Sequence, residues 1–254
     1  MEDVAYSPAP PLGGAGRGQL YLAPTDDDAG ELAARHAYAA MAGRCAYAGF
    51  PGRDWQSHVM ERARAEISPL RWLTPGAVAD SGAMWQDAVA NDGWALYAEG
   101  LLAEPGPGAP QGAYTPEERF DALRAELRAE LRVRLDTGLH TGRLAFEDAV
   151  TLYSETIDFL PGSCADPEAL KRDDKQASCD AARREVTRAA RLPTEAIAAR
   201  LGRDGILLLR RRAQLLLGAH YAASRFHLEL LRQGSVPPGY YAEELLHALR
   251  AQRP

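Results

Sequence analysis

A Gly-Phe-Pro-Gly turn set between two helical stretches is the feature that most constrains this chain. Residues 47 to 56 read YAGFPGRDWQ. A helix that begins near Ala29 must end here, because Pro51 lacks a backbone donor and Gly49 and Gly52 resist helical confinement. Helix resumes beyond it: Trp55 to Ile67 has helical composition, and Ser68-Pro69 stops it.

The flanking segments follow the same rules. Residues 1 to 18 are rich in Pro, Gly and Ala and are expected to form an extended arm or lining loop, while Gln19 to Ala23 (QLYLA) alternates as a short strand would. Thr25 to Asp28 supply capping oxygens and negative charge for the helix that runs from Glu31 to Tyr47. A further helix from Ala77 carries Met84, Val89, Trp94, Leu96, Tyr97 and Leu101. Ala103 to Ala113 (AEPGPGAPQGA) reads as a linker, and Thr115-Pro116 with Glu117 and Glu118 opens the next helix. Leu123, Leu127, Leu131 and Leu135 recur every four residues and are expected to be its buried stripe. Phe146 to Phe159 is helical, Pro161 to Asp180 is a polar loop, and Ile206 to Leu217 and Ser224 to Leu231 are helical again. The expected fold is therefore all-α, with at most a short strand or hairpin near the N-terminus, in one helical domain over residues 19–254.

Composition narrows the partners. The net charge of -6 is the opposite of a polyanion-binding footprint, so no nucleic acid is expected. Arg210, Arg211 and Arg212 are consecutive and fan around a helix, which suits a solvated side better than a flat basic face. No run approaches the roughly 18 apolar residues of a membrane span. The three cysteines, Cys45, Cys164 and Cys179, lack metal-ligand spacing and are expected to be reduced thiols of a cytoplasmic protein, with Cys45 buried and inert.

Four motifs carry a family resemblance. They are YAGFPGRDWQ, then NDGWALYAEG from Asn91, then RLDTGLH from Arg134 to His140, then EVTRAARLPTEAIAARLG from Glu185 to Gly202. Phe226-His227 and Gly234-Ser235-Val236-Pro237 add shorter echoes. Together they resemble the C-terminal half of the domain of unknown function 885 family, bacterial proteins of metallopeptidase type. In that family the first motif reads H-E-G-x-P-G-H-H-x-Q and the second E-G-W-A-L-Y-A-E. The resemblance implies that Tyr47, Arg53 and Asp92 stand at the metal-ligand positions and Ala48 at the general-base position. A catalytic zinc takes about three N, O or S protein ligands with an open place for water, and an Arg has no lone pair to give. No metal and no cofactor are expected.

What remains is a metal-free site. Tyr47, Asp92 and His140 are the candidate catalytic groups, and Arg53, Trp94, Tyr97, Glu195, Arg200 and His227 are the candidate substrate contacts. Tyr, Arg and Asp converging in a concave site can orient and polarise a carbonyl. The chemistry this suits is cyclisation, rearrangement or elimination on a small or medium organic substrate in specialised metabolism. The alternative is a non-catalytic ligand-binding or partner protein. Asp136 and Arg188 read as scaffold contacts, and His36 and His58 flank the turn outside the matched positions. Because only half of the family's usual domain is matched, an exposed surface and a homodimer are also expected.

Overall fold

The computed structural model describes residues 4–7, 18–22, 37–63, 65–68, 71, 87–106 and 108–251. The regular structure among these residues is helical apart from one antiparallel hairpin: β1 (Val4–Ser7) pairs with β2 (Gln19–Leu22), with Val4 opposite Leu22 and Ser7 opposite Gln19. β1 thus lies within the stretch expected as an arm. Among the described residues the helices are α1 (Tyr38–Ala48), α2 (Arg53–Arg62), α3 (Ala88–Leu101), α4 (Pro116–His140), α5 (Phe146–Ile157), α6 (Asp173–Arg191), α7 (Glu195–Leu217), α8 (Ala223–Leu231) and α9 (Pro238–Ala251). The expected cap at Thr25 to Asp28, the helix start before Tyr38, and Met84 lie outside the described residues, as does His36.

Capping chemistry explains where several helices begin. Asp87 accepts from the Ala90 amide at 2.8 Å ahead of α3. At α4 the Thr115 amide donates to Glu118 Oε2 at 2.8 Å while the Glu118 amide donates to Thr115 Oγ1 at 3.3 Å, a reciprocal pair that satisfies two orphan donors. α6 starts at Asp173, with Asp173 and Asp174 in its first turn, so the last part of the expected polar loop is helix.

The chain separates into two compact units, residues 1–121 with 201–254, and residues 122–200. In the first, Trp94, Ile206, Leu209, Phe226, Leu231, Tyr241, Leu245 and Leu249 form the core. α3 meets α7 closely because Gly93 and Gly202 face each other. A Cβ on Gly93 would lie 2.5 Å from the Gly202 Cα, and one on Gly202 would run into the Val89 carbonyl oxygen.

The second unit packs Leu131, Leu135, Val150, Ile157 and Val186 around a disulfide between Cys164 and Cys179, whose Cα atoms are 5.6 Å apart. This corrects the expectation of reduced thiols. Sequence spacing could not reveal the pair, since the two cysteines meet only when α6 lies against α5. Next to it Lys175, fully buried, donates to Ser154 Oγ at 2.8 Å and to the Leu160 carbonyl at 2.7 Å. Ser154 and Ser178 hydroxyls are 2.7 Å apart, and Ser178 donates to Asp158 at 2.6 Å, so the buried amine ends a connected polar chain. Burial pushes the Lys175 amine down.

Two further expectations are corrected. Leu131 and Leu135 are buried, but Leu123 and Leu127 are exposed, because the N-terminal half of α4 presents that stripe to solvent. Cys45 is exposed as well as free of a disulfide.

Candidate functional site

The turn at Gly49 to Gly52 closes on itself before it holds anything else. The Gly49 amide donates to the Cys45 carbonyl at 2.8 Å, the Trp55 amide to Gly49 O at 3.3 Å, and the Gln56 amide to Gly52 O at 3.0 Å. The Phe50–Pro51 peptide is cis. A side chain at Gly52 would collide with the Tyr47 and Ala46 carbonyl oxygens, so glycine is required where α1 gives way to α2.

α3 is fastened to this turn by one side chain. Trp94 Nε1 lies 3.0 Å from Pro51 O and 3.1 Å from Gly52 O, donating to both from inside the core. Asp92 sits two residues before Trp94 and Arg53 opens α2, and the fastening brings them together: Arg53 Nη1 is 3.0 Å from Asp92 Oδ1. Their side chains are 22% and 24% exposed, so the pair is partly shielded yet reachable. Tyr47 is half-buried on the last turn of α1, immediately before the turn. Two of the three positions expected to converge, Arg53 and Asp92, therefore meet directly.

Other groups border the pair. Tyr6, from the hairpin, donates to Asp54 Oδ1 at 2.7 Å, and burial followed by the Asp54 carboxylate pushes its phenol up. His58 Nδ1 is 2.8 Å from the Asp54 carbonyl. On α3, Asn91 accepts from Ser235 Oγ at 3.0 Å. Sequence reasoning missed Tyr6, since a tyrosine in a Pro/Gly-rich N-terminus carries no signal of its partner.

Of the expected substrate contacts, Trp94 and Tyr97 are buried in the first unit, and His227 packs with them. Tyr97 Oη and His227 Nε2 share a hydrogen bond at 2.8 Å, and the Trp94 and His227 rings are 5.8 Å apart, edge to face. Arg210 stands over the Tyr97 ring at 5.9 Å and grips Glu104 with two contacts of 2.6 Å. Arg210 is thus not on a solvated side, unlike the exposed Arg211. Burial first, then the charge of Arg210, pushes His227 down to about 4, which keeps it neutral near pH 7.

His140, Glu195 and Arg200 belong to the second unit. His140 Nδ1 is 2.8 Å from Asp136 Oδ1 and 2.9 Å from the Asp136 carbonyl, and hydrogen bonding to that carbonyl leads the causes that raise its pKa. Asp136 is buried and its second oxygen accepts from the Thr194 amide at 2.8 Å, holding Thr194 at a φ of 73°. Glu195 forms an ion pair with Arg188 at 2.8 Å, and Arg200 forms one with Glu130.

The donor set does not suit a catalytic zinc. A guanidinium sits directly on the Asp92 carboxylate, and among the described residues no three His, Cys, Asp or Glu side chains gather where they could hold a metal ion.

Residues 1–245 match the model of a family described as bacterial protein of unknown function (DUF885). The chain belongs to the DUF885 family. Among solved structures, a candidate lipoprotein from Colwellia psychrerythraea is similar at 24% identity with a TM-score of 0.70, over 99% of this chain and 36% of that one. A candidate lipoprotein of unknown function from Shewanella oneidensis is similar at 19% identity with a TM-score of 0.65, over 97% of this chain and 39% of that one. This DUF885 chain thus spans well under half the length of either, and the likeness is one of fold. No curated protein sequence matches it.

Proposed function

We propose that this DUF885 chain is a metal-independent enzyme that binds a small or medium organic substrate at the Arg53–Asp92 pair. The observation that carries the reading is the 3.0 Å contact itself. A family-type metal centre would gather ligands at these positions, and here a fixed cation and a carboxylate neutralise one another instead. A guanidinium offers a forked pair of donors to a substrate carboxylate or carbonyl, and Asp92 keeps it aimed. Tyr47 stands beside the turn as the hydrogen-bond donor or acid. Positioning and proton transfer of this kind suit cyclisation, rearrangement or elimination, which need no activated water. His140, Glu195 and Arg200 lie in the second unit and are proposed as functional groups there.

The second reading is a non-catalytic ligand-binding or partner protein. We further propose an oxidising compartment in place of the expected cytoplasm, since the Cys164–Cys179 bond would not persist among reduced thiols. The candidate-lipoprotein description of the two solved relatives points the same way. No described helix is long and apolar enough to cross a membrane.

The test is a thermal-shift screen of small carboxylates and carbonyl compounds, run in parallel with and without a chelator. Ligands that stabilise the wild type and lose their effect in both Arg53→Ala and Asp92→Asn, with turnover of at least one of them, support the enzyme. Binding without turnover supports the second reading. Loss of every ligand effect on chelation, with a stoichiometric metal found in the untreated protein, overturns both.

A further inference from the structure

α7 has two apolar faces, and among the described residues one of them is buried while the other is exposed. Gly202, Ile206, Leu209, Ala213 and Leu217 form the buried face. On the other side Leu201, Leu208 and Leu215 are 59%, 61% and 79% exposed. They are seven residues apart, and a helix drifts only about 20° per heptad, so the three leucines form a single straight stripe. Three large apolar side chains aligned on a solvent face are a docking feature rather than scattered surface leucines.

The charges beside the stripe select the occupant. We propose that a second copy of this chain covers it, with the two α7 helices antiparallel about a two-fold axis at Leu208. In that register each Leu208 meets its own counterpart and Leu201 meets the partner's Leu215. Asp204 then lies opposite the partner's Arg212, and symmetry makes that pairing occur twice. Asp204 is exposed and Arg212, at 40% side-chain exposure, reaches Glu243 at 2.6 Å on its own α9. The partner's Asp204 would therefore join an existing Arg212–Glu243 pair at its edge. A parallel arrangement would instead set Asp204 against Asp204 and Arg212 against Arg212, which like-charge repulsion disfavours.

The surface also extends to the side. Leu215 and Leu216 line a hollow of about 700 Å³ together with Leu246 of α9, and Arg212, Glu243 and Arg250 border it. In the antiparallel register the partner's Leu201 stands over Leu215 at the edge of that hollow. The apolar contact is thus wider than one helix ridge, and its rim is charged, as in protein–protein interfaces generally.

Sedimentation equilibrium on the purified chain reads the outcome. The wild type is expected to be a dimer, and Leu208→Glu should raise its Kd on the order of 100-fold, since each copy loses a buried leucine at the axis. In a Cys45→Ser background, Leu208→Cys should form a covalent dimer under oxidation, whereas Gln214→Cys, on a different side of α7, should not. Asp204→Arg and Arg212→Asp should each self-associate more weakly than wild type, and mixing the two should restore dimers, because the mixed pair regains both opposite-charge contacts. A wild type that stays monomeric overturns the proposal. So does a dimer that neither Leu208→Glu nor the charge variants weaken, or a dimer in which Leu208→Cys fails to cross-link.

Discussion

Arg53 and Asp92 are held 3.0 Å apart by a third residue, Trp94, whose indole bonds the two carbonyls of the turn that launches Arg53. The pair is therefore built by the fold rather than by the flexibility of its own side chains. Its energetic coupling should be measurable. In a double-mutant cycle of Arg53→Ala and Asp92→Asn, followed by urea unfolding, we expect a coupling of about 0.5 to 1 kcal/mol, modest because water still reaches both groups. Additive single effects would mean the contact does not hold in solution.

The approach of α3 to α7 makes the same substitution act in opposite senses at two glycines. Gly202→Ala places a methyl against the Val89 carbonyl and 2.7 Å from the Gly93 Cα, both backbone atoms that cannot step aside. It should cost about 3 kcal/mol. Gly100→Ala, near the end of α3, meets nothing within 4 Å and should stabilise by up to about 1 kcal/mol through helix propensity. Urea midpoints of the two variants check this, and a mild effect at Gly202 would show that the helices can part.

The contrast between these glycines also shows what could be read from the chain alone. Gly49, Pro51 and Gly52 announce the turn, and the flanking periodicity announces helices, because both signals are local. The meeting of Arg53 with Asp92 was legible only through the family resemblance, which supplied the missing distance information. Nothing local distinguishes Leu131, which is buried, from Leu127, which is exposed on the same four-residue repeat. The Cys164–Cys179 bond and the buried amine of Lys175 likewise depend on how α6 lies against α5. Thr194 is held at positive φ by Asp136, distant in sequence, and a threonine gives no hint of that conformation.

Reduction should act on the second unit through its disulfide. The bond closes a segment with a separation of 15 residues. A loop of that size is worth about 3 kcal/mol, chiefly by restricting the unfolded chain. Cys164→Ala with Cys179→Ala, or a strong reductant acting on the wild type, should lower stability by a comparable amount, read as a shift of the urea midpoint. The reductant should leave the double variant unchanged. Equal midpoints with and without reductant, together with three free thiols titrated in the untreated protein, would mean that the bond is not formed and would remove the argument for an oxidising compartment.

His227 should impose a pH dependence that its replacement abolishes. Its folded value is about 4 against an ordinary 6.5, so between those limits the unfolded chain takes up a proton that the folded chain refuses. Stability contributed by the neutral ring is fully present above pH 6.5, falls as the pH is lowered, and is exhausted near pH 4. The loss should be on the order of 2 to 3 kcal/mol. Glu104, Arg210 and Tyr97 surround the ring, and carboxylates elsewhere titrate over part of the same range, so the wild-type curve alone is not diagnostic. His227→Gln keeps a polar partner for the Tyr97 hydroxyl but cannot titrate. Subtracting its stability curve from that of the wild type should leave a difference that grows steadily between pH 6.5 and 4. Parallel curves would mean that His227 is protonated as readily inside the protein as outside it, and that the Trp94–Tyr97–His227 cluster is open to water.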